Sequence, residues 1–178
     1  MARRYTPAML LLAAALAAHP TAAAAAPLYV GAYGGVHGRF PGGVADPGGA
    51  LSIARVLTRG EGERLRFDAT ARTTLGFGVS PAIYPGASLT GGGQLLLGRF
   101  SLDVSLGPYL GGQLGGDAAA VLGVLGTGGY GFALSDGNRV KLDLLIIRGA
   151  ALADDPANSD CPLCYGTFGL GLGWELER

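Results

Sequence analysis

The segment 165–176, with the sequence YGTFGLGLGWEL, alternates strictly between large apolar residues and small or polar ones. Every second position is apolar, namely Phe168, Leu170, Leu172, Trp174 and Leu176. The positions between them carry Thr167, Gly169, Gly171, Gly173 and Glu175. Successive side chains of a β-strand point to opposite faces, so this pattern predicts a strand with one apolar face and one small or polar face.

Seven earlier segments have the same character, which makes eight predicted strands at about 28–37, 50–58, 64–79, 87–98, 101–112, 118–134, 139–152 and 165–176. Each is near or above the roughly 9–11 residues that a tilted strand needs to cross a bilayer. The mean hydropathy is high, at +0.36. Because no segment after the N-terminus reaches about 18 continuous apolar residues, helical membrane spans are excluded. Apolarity spread over alternating strands favours a membrane β-barrel.

The N-terminal residues predict a cleaved signal peptide over 1–26, followed by one domain over 27–178. Arg3 and Arg4 precede the apolar run AMLLLAAALAA, and an alanine-rich stretch then offers cleavage sites. Cleavage of the signal peptide would remove these two arginines, which leaves 11 of the 13 basic residues and all 13 acidic residues in the mature chain. The resulting charge of −2 gives no sign of nucleic-acid binding.

The predicted connections alternate in length along the chain. The first (38–49) and the last (153–164) are long, whereas every second connection is short, including SDGN at 135–138 with its central Asp-Gly. An up-and-down membrane barrel has short turns at the periplasmic end and longer loops outside. The pattern therefore predicts that an extracellular partner, if the protein has one, binds loops 38–49 and 153–164.

The polar faces of the strands predict a charge network inside the barrel. Its members are Arg64, Arg66, Asp68, Arg72, Asp103, Lys141, Asp143 and Glu175. An eight-stranded barrel is narrow enough for side chains to fill its interior, and buried charges require partners. We therefore expect paired charges that plug the lumen rather than line an open pore.

One charged residue conflicts with the alternation. Arg55 shares a face with Leu51, Ile53 and Leu57. A lipid-facing Arg at mid-depth costs about 2–4 kcal/mol. Either a bulge shifts this strand, or its lipid face is formed by Ala54 and Val56.

Aromatic residues are expected at the two membrane interfaces. Those near the predicted inner strand ends are Phe67, Phe100, Phe132 and Trp174, and those near the outer ends are Phe77, Tyr84 and Tyr165.

Few residues suggest covalent chemistry. Cys161 and Cys164 form the only C-x-x-C pair. We expect a local disulfide in an oxidising compartment, because neither a βαβ setting nor two further zinc ligands accompany the pair. His37 is the only histidine after the signal peptide, and Ser80 or Ser88 could lie near it at the outer rim. A single histidine without a motif does not indicate an enzyme, and no cofactor or metal site is predicted.

Together these features resemble the small eight-stranded outer-membrane β-barrels of the OmpA/OmpX transmembrane type over residues 27–178. The last strand is similar to the assembly signal of that family, an alternating apolar segment that ends in an aromatic residue. It departs from that signal in one respect, because the last aromatic residue is Trp174 and four residues, Glu175 to Arg178, follow it. The resemblance implies contact with outer-membrane lipid and lipopolysaccharide, insertion by the outer-membrane assembly machinery, and a structural or loop-mediated role in the envelope.

A second hypothesis remains open at the level of sequence. Alternation also occurs in soluble sheets. An exported lipocalin-like barrel would turn its apolar faces inward to bind an apolar ligand, and Arg66, Asp68, Asp103 and Lys141 would then face water.

Overall fold

A computed structural model describes residues 26–39, 45–80, 82–114, 119–135, 137–151 and 165–176. The predicted signal peptide lies outside the described residues except for Ala26. The segment 153–164, with Cys161 and Cys164, also lies outside them.

The described residues form eight β-strands that close into one antiparallel barrel. The strands are β1 (Leu28–Arg39), β2 (Ala45–Glu61), β3 (Leu65–Gly78), β4 (Ile83–Leu97), β5 (Phe100–Gln113), β6 (Ala119–Ala133), β7 (Arg139–Ala151) and β8 (Tyr165–Leu176). Each strand pairs with its neighbour in sequence, and β1 pairs with β8 to close the sheet. The prediction of an eight-stranded up-and-down barrel is confirmed. Among the described residues, no helix is long and apolar enough to span a membrane.

The apolar face of every strand points outward. Leu106, Leu142 and Leu172 are 62%, 52% and 64% exposed on three different strands. Lys141 and Asp143, which flank Leu142, are buried inside the barrel. A soluble barrel would have the opposite arrangement. The lipocalin-like hypothesis is therefore wrong, because Arg66, Asp68, Asp103 and Lys141 lie on the inner face and the apolar side chains lie outside.

The connections divide between the two ends of the barrel. We call the two ends the inner end and the outer end. The inner end has the connections 62–64, 98–99 and 134–138. The outer end has the connections 40–44, 79–82, 114–118 and 152–164. Only the last of these connections is long. The predicted loop 38–49 is wrong in its extent, because Ala45–Gly49 pairs with Gly34–Gly38 as part of β2. The glycines and Pro47 give this stretch the composition of a loop, yet its residues continue the pairing between β1 and β2.

β2 contains a β-bulge, but the bulge comes after Arg55 and does not turn that residue inward. Val56 pairs with Thr70 and Thr58 pairs with Ala69, so Leu57 is an extra residue. Ala54 and Val56 are buried in the lumen, so the hypothesis that they form the lipid face is wrong. The bulge follows Arg55 and leaves it on the outer face, where its backbone pairs with Leu28 at the first position of β1. Arg55 thus lies opposite the first residue of β1 on one side and opposite Ala71, well within β3, on the other.

The two ends differ in their outward aromatic residues. Phe67, Phe100, Phe132 and Trp174 point outward near the inner end, as predicted. At the outer end Phe77 points outward, but Tyr84 and Tyr165 do not. They lie on the inward positions of β4 and β8 and are half-buried, so their assignment to an outer aromatic girdle is wrong.

Inward glycines make room for tyrosine rings in the lumen. A Cβ atom at Gly86 or Gly111 would overlap the ring of Tyr109, and one at Gly173 would overlap the Tyr29 hydroxyl. Tyr109 is 5% exposed and donates a hydrogen bond to the Pro85 carbonyl at 3.4 Å. The high glycine content therefore has a packing function, because large rings can lie flat against a wall that has no side chains.

Gly86 and Gly91 on β4 provide a matched test of this packing. We expect Gly86→Ala to lower the free energy of unfolding by about 1–3 kcal/mol, because its methyl group would overpack against Tyr109. Gly91 points outward and has no atom within 4 Å of an added Cβ, so Gly91→Ala should change the free energy little. Urea unfolding followed by the single tryptophan, Trp174, measures both variants. Equal losses would contradict the account.

Candidate functional site: the barrel lumen

The lumen is the candidate site because it collects the charged and polar side chains of the described residues. We divide it, from the inner to the outer end, into an ionic layer, a tyrosine bridge, an apolar layer and an outer polar cluster. The ionic layer comprises Arg59, Asp68, Asp103, Lys141 and Glu175. In the part of the chain that the structure describes, no group of three or more His, Cys, Asp or Glu residues could hold a metal ion.

Arg59 is the central cation of the ionic layer. Its Nε and Nη2 atoms donate to the two Asp68 carboxylate oxygens at 2.8 and 2.9 Å. Nη2 also donates to Glu175 Oε1 at 2.7 Å. The fork geometry of a guanidinium suits this bidentate pairing, which fixes orientation as well as charge. Arg59 therefore links β2 to β3 and, across the lumen, to β8.

Lys141 extends the layer to β5. Its ammonium lies 3.1 Å from Glu175 Oε2 and 3.2 Å from Asp103 Oδ1. Asp103 Oδ1 has no hydrogen bond of good geometry, so its contact with Lys141 is an ion pair rather than a directed bond. Glu175 is 3% exposed and is held between two cations, which offsets the cost of burying its charge.

The tyrosine bridge lies above the ionic layer and consists of Arg72, Tyr33 and Asp143. The Tyr33 hydroxyl donates to Asp143 Oδ2 at 3.2 Å and lies beside the Arg72 guanidinium. Arg72 Nη1 donates to Ser52 Oγ at 2.9 Å, and its guanidinium lies 5.0 Å above the centre of the Tyr29 ring. The tyrosine hydroxyl thus mediates between opposite charges on β3 and β7.

The structure does not bring all of the predicted network together. Arg64 lies in the connection 62–64 and is exposed, so its assignment to the lumen is wrong. The chain turns there before β3 begins at Leu65. Arg66 is half-buried on the inner face opposite Gln94.

Arg59 and Arg139 both point inward, although neither belongs to the predicted charge network. Arg59 lies in a predicted turn after the strand 50–58, whereas β2 continues to Glu61 and the bulge at Leu57 changes which side Arg59 faces. Arg139 is 8% exposed at the start of β7. Its alternation with Lys141 and Asp143 could have identified it.

The apolar layer lies above the tyrosine bridge. Leu125 and Leu145 are fully buried there, and the other members are Ala50, Tyr109, Val121, Ile147 and the Tyr33 ring. These residues occupy inward positions that the period-two pattern would give to polar side chains. The lumen is therefore filled by apolar groups in the middle as well as by charges toward the inner end.

The outer polar cluster contains His37, Asp46, Ser80, Tyr84 and Thr167. His37 is 1% exposed, with Nδ1 3.0 Å from Thr167 Oγ1 and Nε2 2.9 Å from the Gly49 carbonyl oxygen. The Tyr84 ring stacks on the imidazole at 4.6 Å, and its hydroxyl donates to Asp46 Oδ2 at 3.1 Å. Ser80 donates to Asp46 from its backbone NH at 3.1 Å and from its hydroxyl.

His37 does not pair with Ser80 or Ser88, the two serines considered as its partners from the sequence. Both ring nitrogens of His37 have other partners, Ser80 bonds to Asp46, and the Ser88 hydroxyl is buried without a partner among the described residues. His37 also points into the lumen and not to the lipid-facing rim. The outer polar cluster joins β1, β2, β4 and β8 near the outer end.

Arg59 gives the sharpest test of the ionic layer. We expect Arg59→Met to lower the free energy of unfolding by about 3 kcal/mol, because it leaves Asp68 and Glu175 short of a partner. Arg59→Lys should lose less, since it keeps the charge but not the bidentate geometry. Arg64→Met is the exposed control and should stay within about 0.5 kcal/mol of the native value in urea unfolding. A loss at Arg64 equal to that at Arg59 would contradict the assignment.

Comparison with known proteins identifies the fold. No family model matches the chain, and no curated protein matches its sequence. Among solved structures it is similar to Neisserial surface protein A (11% identity, TM-score 0.54, covering 86% of this chain and 97% of that one). It is also similar to the outer membrane enzyme PagL (10% identity, TM-score 0.57, 85% and 99%) and to Ail, the attachment invasion locus protein of Yersinia pestis (16% identity, TM-score 0.53, 85% and 97%). All three are small eight-stranded outer-membrane β-barrels, and this chain has their fold.

Proposed function

We propose that this protein is an outer-membrane β-barrel with a closed lumen and a structural or loop-mediated interaction role in the cell envelope. The observation that carries the proposal is an apolar outer surface on all eight strands around a charged interior. In hydrocarbon every backbone polar group must be bonded within the protein, and a closed barrel achieves this without a free edge. The mature domain begins after residue 26, once the signal peptide is removed.

The partners follow from this location. The outer face contacts membrane lipid and lipopolysaccharide, and the assembly machinery inserts the chain. Loop 153–164, with a local disulfide between Cys161 and Cys164, is the proposed contact for an extracellular partner. In the predicted loop 38–49, only 40–44 lies between strands, so its contribution is smaller.

The proposed role is not enzymatic. PagL is an enzyme with this fold, but a fold does not carry an activity with it. The two hydrogen bonds of His37 and its burial in the lumen support a structural role for the residue.

Fractionation and epitope exposure test the proposal in cells. We expect the protein to stay in the outer-membrane fraction after salt and alkaline washes and to migrate differently on gels with and without boiling. An epitope inserted after Asn158 should be accessible on intact cells, whereas one inserted after Ser135, in an inner connection, should be accessible only after lysis. Release into the soluble fraction, or exposure of both epitopes on intact cells, would overturn the proposal.

A further inference from the structure

The inner half of the lumen contains a chamber of about 60 Å³. Its wall includes Tyr29, Arg59, Arg72, Gln94, Lys141 and Glu175, and it reaches Pro27 and Leu28 at the inner end. A buried water needs roughly 10–15 Å³ of such space. The chamber is therefore large enough for several water molecules.

Several side-chain atoms of the chamber wall have no hydrogen-bond partner among the described residues. They include Arg72 Nε, Gln94 Oε1 and the Tyr29 hydroxyl, besides Asp103 Oδ1, whose contact with Lys141 is an ion pair. Arg72 and Gln94 are 6% and 3% exposed, so bulk solvent does not reach most of their surface. Buried polar groups of this kind are normally paired with protein or with ordered water. The wall thus supplies both donors and acceptors for a small polar ligand.

The chamber ends abruptly at the apolar layer. On β6, the chamber residue Thr127 is followed toward the outer end by Leu125 at the next inward position. On β7, the chamber residue Lys141 is followed at the next inward positions by Asp143 and then by Leu145. Both leucines are 0% exposed, and Val121 and Ile147 continue the layer outward. Water needs two to four polar partners at a stable site, and these side chains offer none.

We propose that the chamber is a water-binding site entered only from the inner end, and that the apolar layer, not the ionic layer, seals the lumen. The ionic layer is then a hydrated network whose polar atoms are completed by ordered water. Leu125 and Leu145 form the barrier between this half-channel and the outer end. This inference rests on the closed lumen of the proposed function. The inference does not depend on where the protein lies in the cell. The experiments on the purified barrel can therefore contradict it even if fractionation confirms the outer-membrane location.

Water contacts measured by NMR on the purified barrel in detergent micelles test the binding site. We expect cross-peaks between water and the Arg72 Nε proton, and between water and the Tyr29 ring protons next to the hydroxyl. The Leu125 and Leu145 methyl groups should show none. Water contacts at the two leucines as strong as those at Arg72, or no contact at Arg72, would overturn the proposal.

Conductance in planar bilayers tests the seal. The double variant Leu125→Ala with Leu145→Ala should show stepwise ion currents, because it widens the apolar layer and leaves the charges in place. The matched double variant Arg59→Met with Lys141→Met should stay silent, like the native protein. Both variants are first checked for heat-modifiable gel migration, which shows that they have folded. A silent leucine variant, or currents through the variant that lacks the two cations, would overturn the assignment of the seal.

Discussion

The requirement that every backbone NH and carbonyl group be bonded within the chain governs the whole structure. In hydrocarbon an unpaired group costs several kcal/mol, so a sheet must close on itself. Pairing of β1 with β8 over twelve positions, from Leu28 with Leu176 to Arg39 with Tyr165, meets that requirement. Closure in turn fixes an inside and an outside, and the period of two then assigns each side chain to lipid or lumen.

A narrow closed lumen imposes a second constraint, because whatever points inward must pack and be paired. The chain satisfies it differently at each depth. Arg59 and Lys141 pair with the three acids of the ionic layer, and Tyr33 joins Arg72 to Asp143. The apolar layer packs mainly through aliphatic side chains, and inward glycines give the tyrosine rings their space. The interior is thus a stack of distinct layers rather than a uniform plug.

The period-two pattern predicted the strand number, the outward face of β8, and the inward position of most of the charges. It failed where local geometry breaks the period. The bulge at Leu57 turns Arg59 inward. Arg55 on the apolar face pointed to a possible bulge in this strand but did not indicate where it lies. The glycines and the proline of Ala45–Gly49 predicted a loop, but these residues pair with β1. Composition alone does not show which residues form backbone hydrogen bonds with a neighbouring strand. The inward positions of Leu125 and Leu145 were not predicted, because these apolar residues interrupt the polar face of their strands. The ion pairs could not be predicted either, because they depend on the depth of each charge in the lumen, which the sequence does not specify.

The central claim is that lipid contacts one side of each strand and the lumen lies on the other. Spin labels placed singly at positions 140–146 of β7, in a background with Cys161 and Cys164 replaced by serine, measure this directly in lipid vesicles. Accessibility to dissolved oxygen should alternate with a period of two, with maxima at Val140, Leu142, Leu144 and Ile146 and minima at Lys141, Asp143 and Leu145. Accessibility without alternation, or with its maxima at Lys141 and Asp143, would contradict the account.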